Sequence, residues 1–438
     1  MRESHAKLIR AVGMWGLVAM CINAVVGSGV YLLPTETFKL LGPFSLWAPL
    51  LFAIPVFILA LCFAEAASHF TQPGGAYLYA SAAFGDFIGF ETGWMNTLAR
   101  ITSLAALANG FVVSLARIVP AAGDPTARVV LIIASLLIFG VIHALGIRYG
   151  AGTIYFLTWG KMLPLMIFIV VAVIAFLHNP LPGSMTLPAG KISWSEAGLF
   201  LLFAYAGFEN LGIPAGEYKN PRRDLPIALL IGIVAIAATY SLAQLAAMAS
   251  LPDLSQTATP IADAAAQIMG NPGALLITTG AILSILGTNL GTTLEASRMI
   301  YALTRDRKPF RFLGYVHPKT HTPVLAIALL IAIAIPVAVA GSFAKLALLS
   351  AGARLTTYLF TAAAVPRLRK LNEGFVTPGG WTVPILGTLI SLYFLVNLKP
   401  EQFNALILTV IRGAVFDGVS MLAGGRVPEE PAAPEPEP

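Results

Sequence analysis

Charge is scarce in this chain. Of its 438 residues only 11% are Asp, Glu, Lys or Arg, while 57% are hydrophobic. A soluble domain carries about 25% charged residues, so a water-facing surface could not be covered here. Cysteine is nearly absent: Cys21 and Cys62 both fall in apolar runs. That excludes a disulfide framework or a thiolate metal site and leaves them as small apolar side chains. The patterns HExxH, GxSxG and GxxxxGK are missing, as is any cluster of histidines with carboxylates inside an apolar run. Membrane hydrolysis and direct ATP drive therefore have no residues to rest on. No catalytic residue, resident metal or cofactor is expected. No cleavable leader is expected either, because the first apolar run is too long and no polar stretch with small residues follows it.

What is present is a succession of apolar stretches, each near the 20 or so residues that a spanning helix needs. They lie at about 12–33, 44–68, 86–118, 128–147, 151–177, 194–214, 225–250, 273–303, 322–341, 343–365, 382–398 and 403–423. The last carries Arg412 and Asp417 in a short run, which leaves its crossing open. The fold class is an all-α polytopic membrane protein. The net charge of +6 is not a sign of nucleic acid. With the N-terminus inside, the inner segments hold Arg2, Lys7, Arg10, Arg148, Lys219, Arg222, Arg223, Arg305, Arg307, Lys308, Arg311 and more. The outer segments hold only Lys39, Arg117, Arg128, Lys191, Lys345 and Lys399. This asymmetry orients a multi-pass protein of the cell inner (plasma) membrane with a cytoplasmic N-terminus.

Residues 24–34, AVVGSGVYLLP, interrupt the first span with Gly27 and Gly29 around Ser28. Glycine in a helix interior costs about 1 kcal/mol relative to alanine. Backbone polar groups freed at bilayer depth survive only where protein or a water-filled cavity supplies partners. A kink or close helix crossing would also account for this motif alone. The sixth span repeats the feature: LFLLFAYAGFENLGIPAGEYKNPRRDLP places Gly207, Gly212, Pro214 and Gly216 in an apolar run, with Glu209 near the first glycine. Two interrupted helices, each first in a group of five spans, point to an inverted-repeat transporter, the odd number inverting the second repeat. A half-helix that begins at a break offers N–H groups to a carboxylate, and one that ends there offers carbonyls to an ammonium. Together they suit a small zwitterion.

At these residues the chain resembles the amino acid–polyamine–organocation (APC) superfamily. The resemblance rests on GSGVYLLP in span one, PGGAYLYASAAFG after span two, FAYAGFEN…GEYKNPRRDLP in span six and SRMIYALTRDRKPF…HTP after span eight. It implies a five-plus-five inverted-repeat fold with discontinuous helices 1 and 6 and about 12 spans. The expected divisions are a cytoplasmic segment 1–11, a first repeat 12–177, a second repeat 178–365, peripheral helices over 366–423 and an acidic, Pro-rich disordered tail 424–438. It further implies transport of amino acids or related amines by alternating access. The site residues it implies are Gly27, Ser28 and Gly29 for the substrate carboxylate, Ile22 and Asn23 for the amino group, Phe203 closing over the substrate, and Ala204, Tyr205 and Gly207 lining the second break. Where the arginine/agmatine branch carries tryptophan, this chain has Phe203, which argues against a guanidinium or polyamine.

Charges inside spans cost about 2.5–3.5 kcal/mol each on the insertion scale and should face the bundle interior. Lys161 stands ten residues into span five, about 15 Å deep. The resemblance implies that its ammonium replaces sodium between spans one and eight. Glu209 is the second candidate to carry a proton, the structural alternative being that it hydrogen-bonds the free amides of the break; the expected transport is proton-coupled and sodium-independent. Arg100 is open to Glu209, an anionic substrate group or backbone carbonyls. Glu295 and Arg298, three apart on one helix face, are expected to form an inner gate with Glu65, and Arg354 belongs near them. Thr288, Asn289 and Thr292 lie near the expected Lys161 site, although such threonines more often bond their own helix. Gly85, Gly89 and Gly93, and again Gly287 and Gly291, signal close helix packing. The segment 71–85 reads as an amphipathic piece on the inner surface. The partners expected are a small amino acid or amine, protons and the lipid bilayer, with no nucleic acid. An amine exchanger is the nearest alternative, and a channel the more distant one.

Overall fold

The computed structural model describes residues 13–70, 75–146, 151–178, 187, 190–211, 220–305, 307, 309–371 and 374–423. The helices are α1 (Met14–Val25), α2 (Gly29–Leu32), α3 (Pro34–Leu41), α4 (Ala48–Ser68), α5 (Ala76–Phe84), α6 (Asp86–Ala116), α7 (Pro125–Ala144) and α8 (Ala151–His178). They continue as α9 (Trp194–Tyr205), α10 (Pro221–Ser250), α11 (Pro260–Thr304), α12 (Val324–Ala340), α13 (Phe343–Leu371), α14 (Thr382–Val396) and α15 (Pro400–Leu422). Eight of the described helices are long and apolar enough to cross a membrane, and α1, α12 and α14 are shorter apolar ones. α11 bends at Gly270, whose φ of 69° is left-handed and is followed by Pro272.

Span one is not one helix. α1 stops at Val25, Val26 is extended (ψ 101°), and winding resumes at Gly29. Span six likewise stops at Tyr205. The expected breaks at Gly212, Pro214 and Gly216 lie outside the described residues. Helix packing has the symmetry of an inverted repeat. The first span packs on the seventh (α1 on α10), as the sixth packs on the second (α9 on α4). The fifth packs on the eighth (α8 on α11), as the tenth packs on the third (α13 on α6). Spans two and seven, three and eight, and four and nine pair across the pseudo-axis, as α4 on α10, α6 on α11 and α7 on α12. The chain is an all-α polytopic membrane protein.

Small residues set several of these approaches. A Cβ on Gly89 would stand 2.5 Å from the Ser81 Cβ, and one on Gly93 2.8 Å from Leu303, so these glycines seat α5 and α11 on α6. The α5 segment is accordingly wedged against α6 and α13 with Tyr79 buried, rather than lying free on a surface. Cys21 packs beside Gly232 of α10, and both cysteines are buried and free.

Two buried acids hold the outer helices. Asp417 on α15 pairs with Arg307, whose guanidinium lies 4.0 Å from the Phe90 ring centre. That pairing explains how the last apolar stretch carries an acid and still forms a continuous 23-residue helix. Glu65, fully buried at the end of α4, accepts from Arg369 Nε (2.5 Å) and Nη2 (3.0 Å) and from the Thr377 N–H (3.0 Å) and hydroxyl (2.6 Å). It thereby ties α13 and the segment that follows to α4, with Arg369 and not Arg298 as its ion-pair partner. Breaking a buried pair by removing one partner costs about 3–5 kcal/mol. Glu65→Ala is therefore expected to lower the thermal unfolding midpoint of the detergent-purified protein by several degrees. An unchanged midpoint would show that this staple holds nothing.

Candidate functional site

Four carbonyls at the two breaks, released from helical bonding, are taken up by side chains of other helices. Lys161 Nζ on α8 donates to the Asn23 carbonyl at 2.5 Å. Tyr240 on α10 donates to the Ala204 carbonyl (3.0 Å) and more weakly to that of Val25 (3.5 Å). Ser284 on α11 approaches the Val26 carbonyl at 3.5 Å. At the second break the Gly207 N–H donates to Glu209 Oε2 at 2.8 Å. Gly207 has φ 125°, and a Cβ there would strike the Ala24 carbonyl oxygen. A Cβ on Gly29 would stand 2.7 Å from that of Ala204. The breaks touch each other. Both positions need glycine, one for conformation and both for room.

Beside them lies a cavity of about 580 Å³, lined by Asn23, Gly27, Ser28, Gly29, Phe203, Ala204, Gly207 and Lys161 among others. Ser28 is 2% exposed, and its hydroxyl oxygen has no hydrogen-bond partner among the described residues. Exposed lining residues Gly291 and Arg298 lie on the C-terminal part of α11, so the cavity opens toward the side where α11 ends. The other side is closed. Phe203 stands edge-on to Phe343 at 6.0 Å, Leu32 and Phe343 press on Gly110, and Arg117 Nε bridges to Asp263 at 2.8 Å.

The remaining expected residues divide. Ile22 is not in the cavity lining; its carbonyl accepts from the Val26 N–H at 2.9 Å. Tyr205 also lies behind the wall, its hydroxyl on the Pro49 carbonyl at 2.8 Å. Glu209 is buried and pairs with Arg354 of α13, with the Tyr358 hydroxyl at 3.4 Å, so Arg354 belongs with Glu209 and not with Glu65. Glu295 does not pair with Arg298. Its Oε2 accepts from Arg100 and its Oε1 from Asn210 Nδ2 at 2.9 Å. Arg298 is exposed at the mouth and forms no hydrogen bond or ion pair among the described residues. Thr288 bonds its own helix, at Ser284 O, 2.8 Å away, and still lines the cavity with Thr292; buried Asn289 is not in the lining.

Asn210, His143, Ser103, Gly287 and Gly291 line the cavity without having been singled out as site residues. The spacing of the two glycines predicts helix packing. Nothing lies within 4 Å of a Cβ built on Gly291, so this face of α11 is smooth because it borders space.

A family model described as amino acid permease matches residues 12–406. The chain is 28% identical over 431 residues to the serine/threonine exchanger SteT of Bacillus subtilis, covering 95% of each. It is 28% identical over 386 residues to the vacuolar cationic amino acid transporter 4 of Arabidopsis thaliana, covering 82% of this chain and 62% of that one. It is 25% identical over 434 residues to the b(0,+)-type amino acid transporter 1 of Mus musculus, covering 93% and 87%.

The geometry of the breaks separates two glycine substitutions. A left-handed backbone forced on alanine costs about 1–3 kcal/mol, and at Gly207 the collision with Ala24 adds to it. Gly207→Ala should lower the unfolding midpoint, whereas Gly291→Ala, in open helix, should hold or raise it. Equal effects in thermal unfolding would remove the claim that Gly207 sits at a strained contact between breaks.

Proposed function

Because this chain belongs to the amino acid permease family, whose members here are amino acid transporters and not enzymes, we propose that it carries amino acids across the membrane by alternating access, proton-coupled and independent of sodium. The observation that carries this reading is the contact of two broken helices beside one cavity lined by the buried Ser28 hydroxyl, which has no partner among the described residues. The substrate carboxylate lies on the N–H groups around Gly27 and Gly29 and on Ser28. Its amine faces the carbonyl ends of α1 and α9, and Phe203 covers it. The N-terminus is cytoplasmic in this reading, so the cavity opens inward and the Phe203–Phe343 seal is the closed outer side. A sealed far side suits a carrier better than a pore.

Coupling falls to Lys161. Its ammonium holds the Asn23 carbonyl of span one from span five, beside span eight. A cation fixed there ties the broken helix to its neighbours, and loss of a proton releases it. An ammonium supplied by the chain leaves no need for a metal cation. Glu209 is the second proton-linked group, bridging Gly207 to Arg354. The relatives are named for serine and threonine in one case and for cationic amino acids in others, so they differ in the side-chain charge they accept.

The test is counterflow in proteoliposomes. Ser28→Ala removes a hydrogen bond to a charged group, worth about 1.5–3 kcal/mol, and is expected to weaken apparent affinity by about 10–100-fold. Uptake by the wild type should vary with pH and ignore sodium, and Lys161→Met should flatten that pH profile. A pH profile unchanged in Lys161→Met would remove the coupling role. Absence of exchange with any amino acid would remove the reading as a whole.

A further inference from the structure

We propose that Glu295 is a carboxylate subsite already filled by the chain's own Arg100, so that the cavity admits amino acids whose side chains carry no positive charge and turns away lysine- and arginine-like ones. The inference rests on the amino acid reading above and names the substrate class for that same cavity.

Glu295 is the only carboxylate among the described residues lining the cavity, and its side chain is 34% exposed there. Both oxygens are engaged and the charge is matched by a guanidinium: Arg100 holds Oε2, and Asn210 holds Oε1 at 2.9 Å. Arg100 also donates to Asn210 Oδ1 at 3.1 Å, closing a three-residue ring. The guanidinium is almost wholly buried behind the carboxylate. The ring stands next to the second break, since the Asn210 N–H donates to the Gly207 carbonyl at 3.1 Å.

Position along α11 supports the same conclusion. Thr288 lies beside Gly27, and Glu295 is seven residues further on, about 10 Å at 1.5 Å per residue. An extended basic side chain reaches about 6 Å beyond its Cα, and the glutamate side chain covers the rest. Glu295 is therefore where a bound lysine or arginine would seek its counter-charge, and Arg100 is there first.

The other charged groups along the path reinforce the exclusion. Arg298 stands exposed at the mouth with no ion-pair partner among the described residues. Lys161 stands at the first break, and Arg354 is committed to Glu209. An incoming cationic side chain meets Arg298, then Lys161, with no free carboxylate between them among the described residues. Like charges juxtaposed in a desolvated site oppose binding strongly. Discrimination here comes from a repulsive element as much as from an attractive one.

The experiment is competition for uptake in proteoliposomes, with neutral (serine, threonine, leucine), acidic (aspartate, glutamate) and basic (lysine, arginine) competitors at equal concentration. Neutral or acidic competitors should inhibit and basic ones should not; inhibition by lysine or arginine as strong as by the best neutral competitor overturns the proposal. No inhibition by any class overturns the amino acid reading and this inference with it. Arg298→Ser, at an exposed position, should lower the half-inhibitory concentration of lysine at least about tenfold relative to that of the neutral competitor, and no change overturns the role of Arg298. Arg100→Met should open the subsite to lysine, and adding Glu295→Gln should close it again. A gain for lysine that persists in the double variant overturns the assignment of Glu295. Should Arg100→Met fail to fold, the wild-type panel and Arg298→Ser still decide the matter.

Discussion

A backbone carbonyl or amide with no partner cannot be left in a low-dielectric interior, and this molecule is organised around the places where its helices stop bonding to themselves. An unsatisfied group at membrane depth costs several kcal/mol. At the breaks after Val25 and Tyr205, partners come from helices distant in sequence: Lys161 of α8, Tyr240 of α10, Ser284 of α11 and the nearby acid Glu209. Each such bond converts a local weakness into a long-range tie. The helices that cap the breaks are also those that pack around them. At the first break the Ser28 hydroxyl, without a hydrogen-bond partner among the described residues, lines the cavity.

Much of this was legible from residues 24–34 and 203–209 because glycine inside an apolar run is expensive and must be bought by structure. The breaks, the buried lysine and the repeat of five spans all follow from that cost together with the length of a bilayer crossing. Ion-pair partners did not follow. Glu295 and Arg298 share a helix face at a spacing that favours pairing, yet Glu295 turns to Arg100, 195 positions away. Spacing along one helix says which groups are near each other and nothing about a stronger competitor on a neighbouring helix. Glu65 shows the same limit. Its position near a helix end suggested a gate, and its four donors come from Arg369 and Thr377.

Gly287 and Gly291 show a different limit. A small-residue stripe in a membrane helix marks a surface that something approaches closely, or a surface that must stay clear. Sequence cannot separate these, because both need the absence of a side chain. Gly89 and Gly93 are of the first kind, filled by Ser81, Tyr77 and Leu303, whereas Gly291 is of the second, with open space beyond it. The difference lies wholly in what faces the helix.

Two adjacent residues after the second break carry the link between the cavity and the rest of the bundle. Glu209 reaches α13 through Arg354, and Asn210 reaches α6 and α11 through the Arg100–Glu295 pair. Both depend on the turn at Gly207, whose N–H is held by Glu209 and whose carbonyl is held by the Asn210 amide. A group that binds at Gly207 must share these bonds or compete for them. Occupation of the cavity therefore bears on two ion pairs anchored on different helices, one buried and one at the cavity wall. In a desolvated interior a charged pair is held firmly or separated at high energy, with little between. That gives the bundle discrete arrangements to choose from and lets a small ligand at one turn bias the choice.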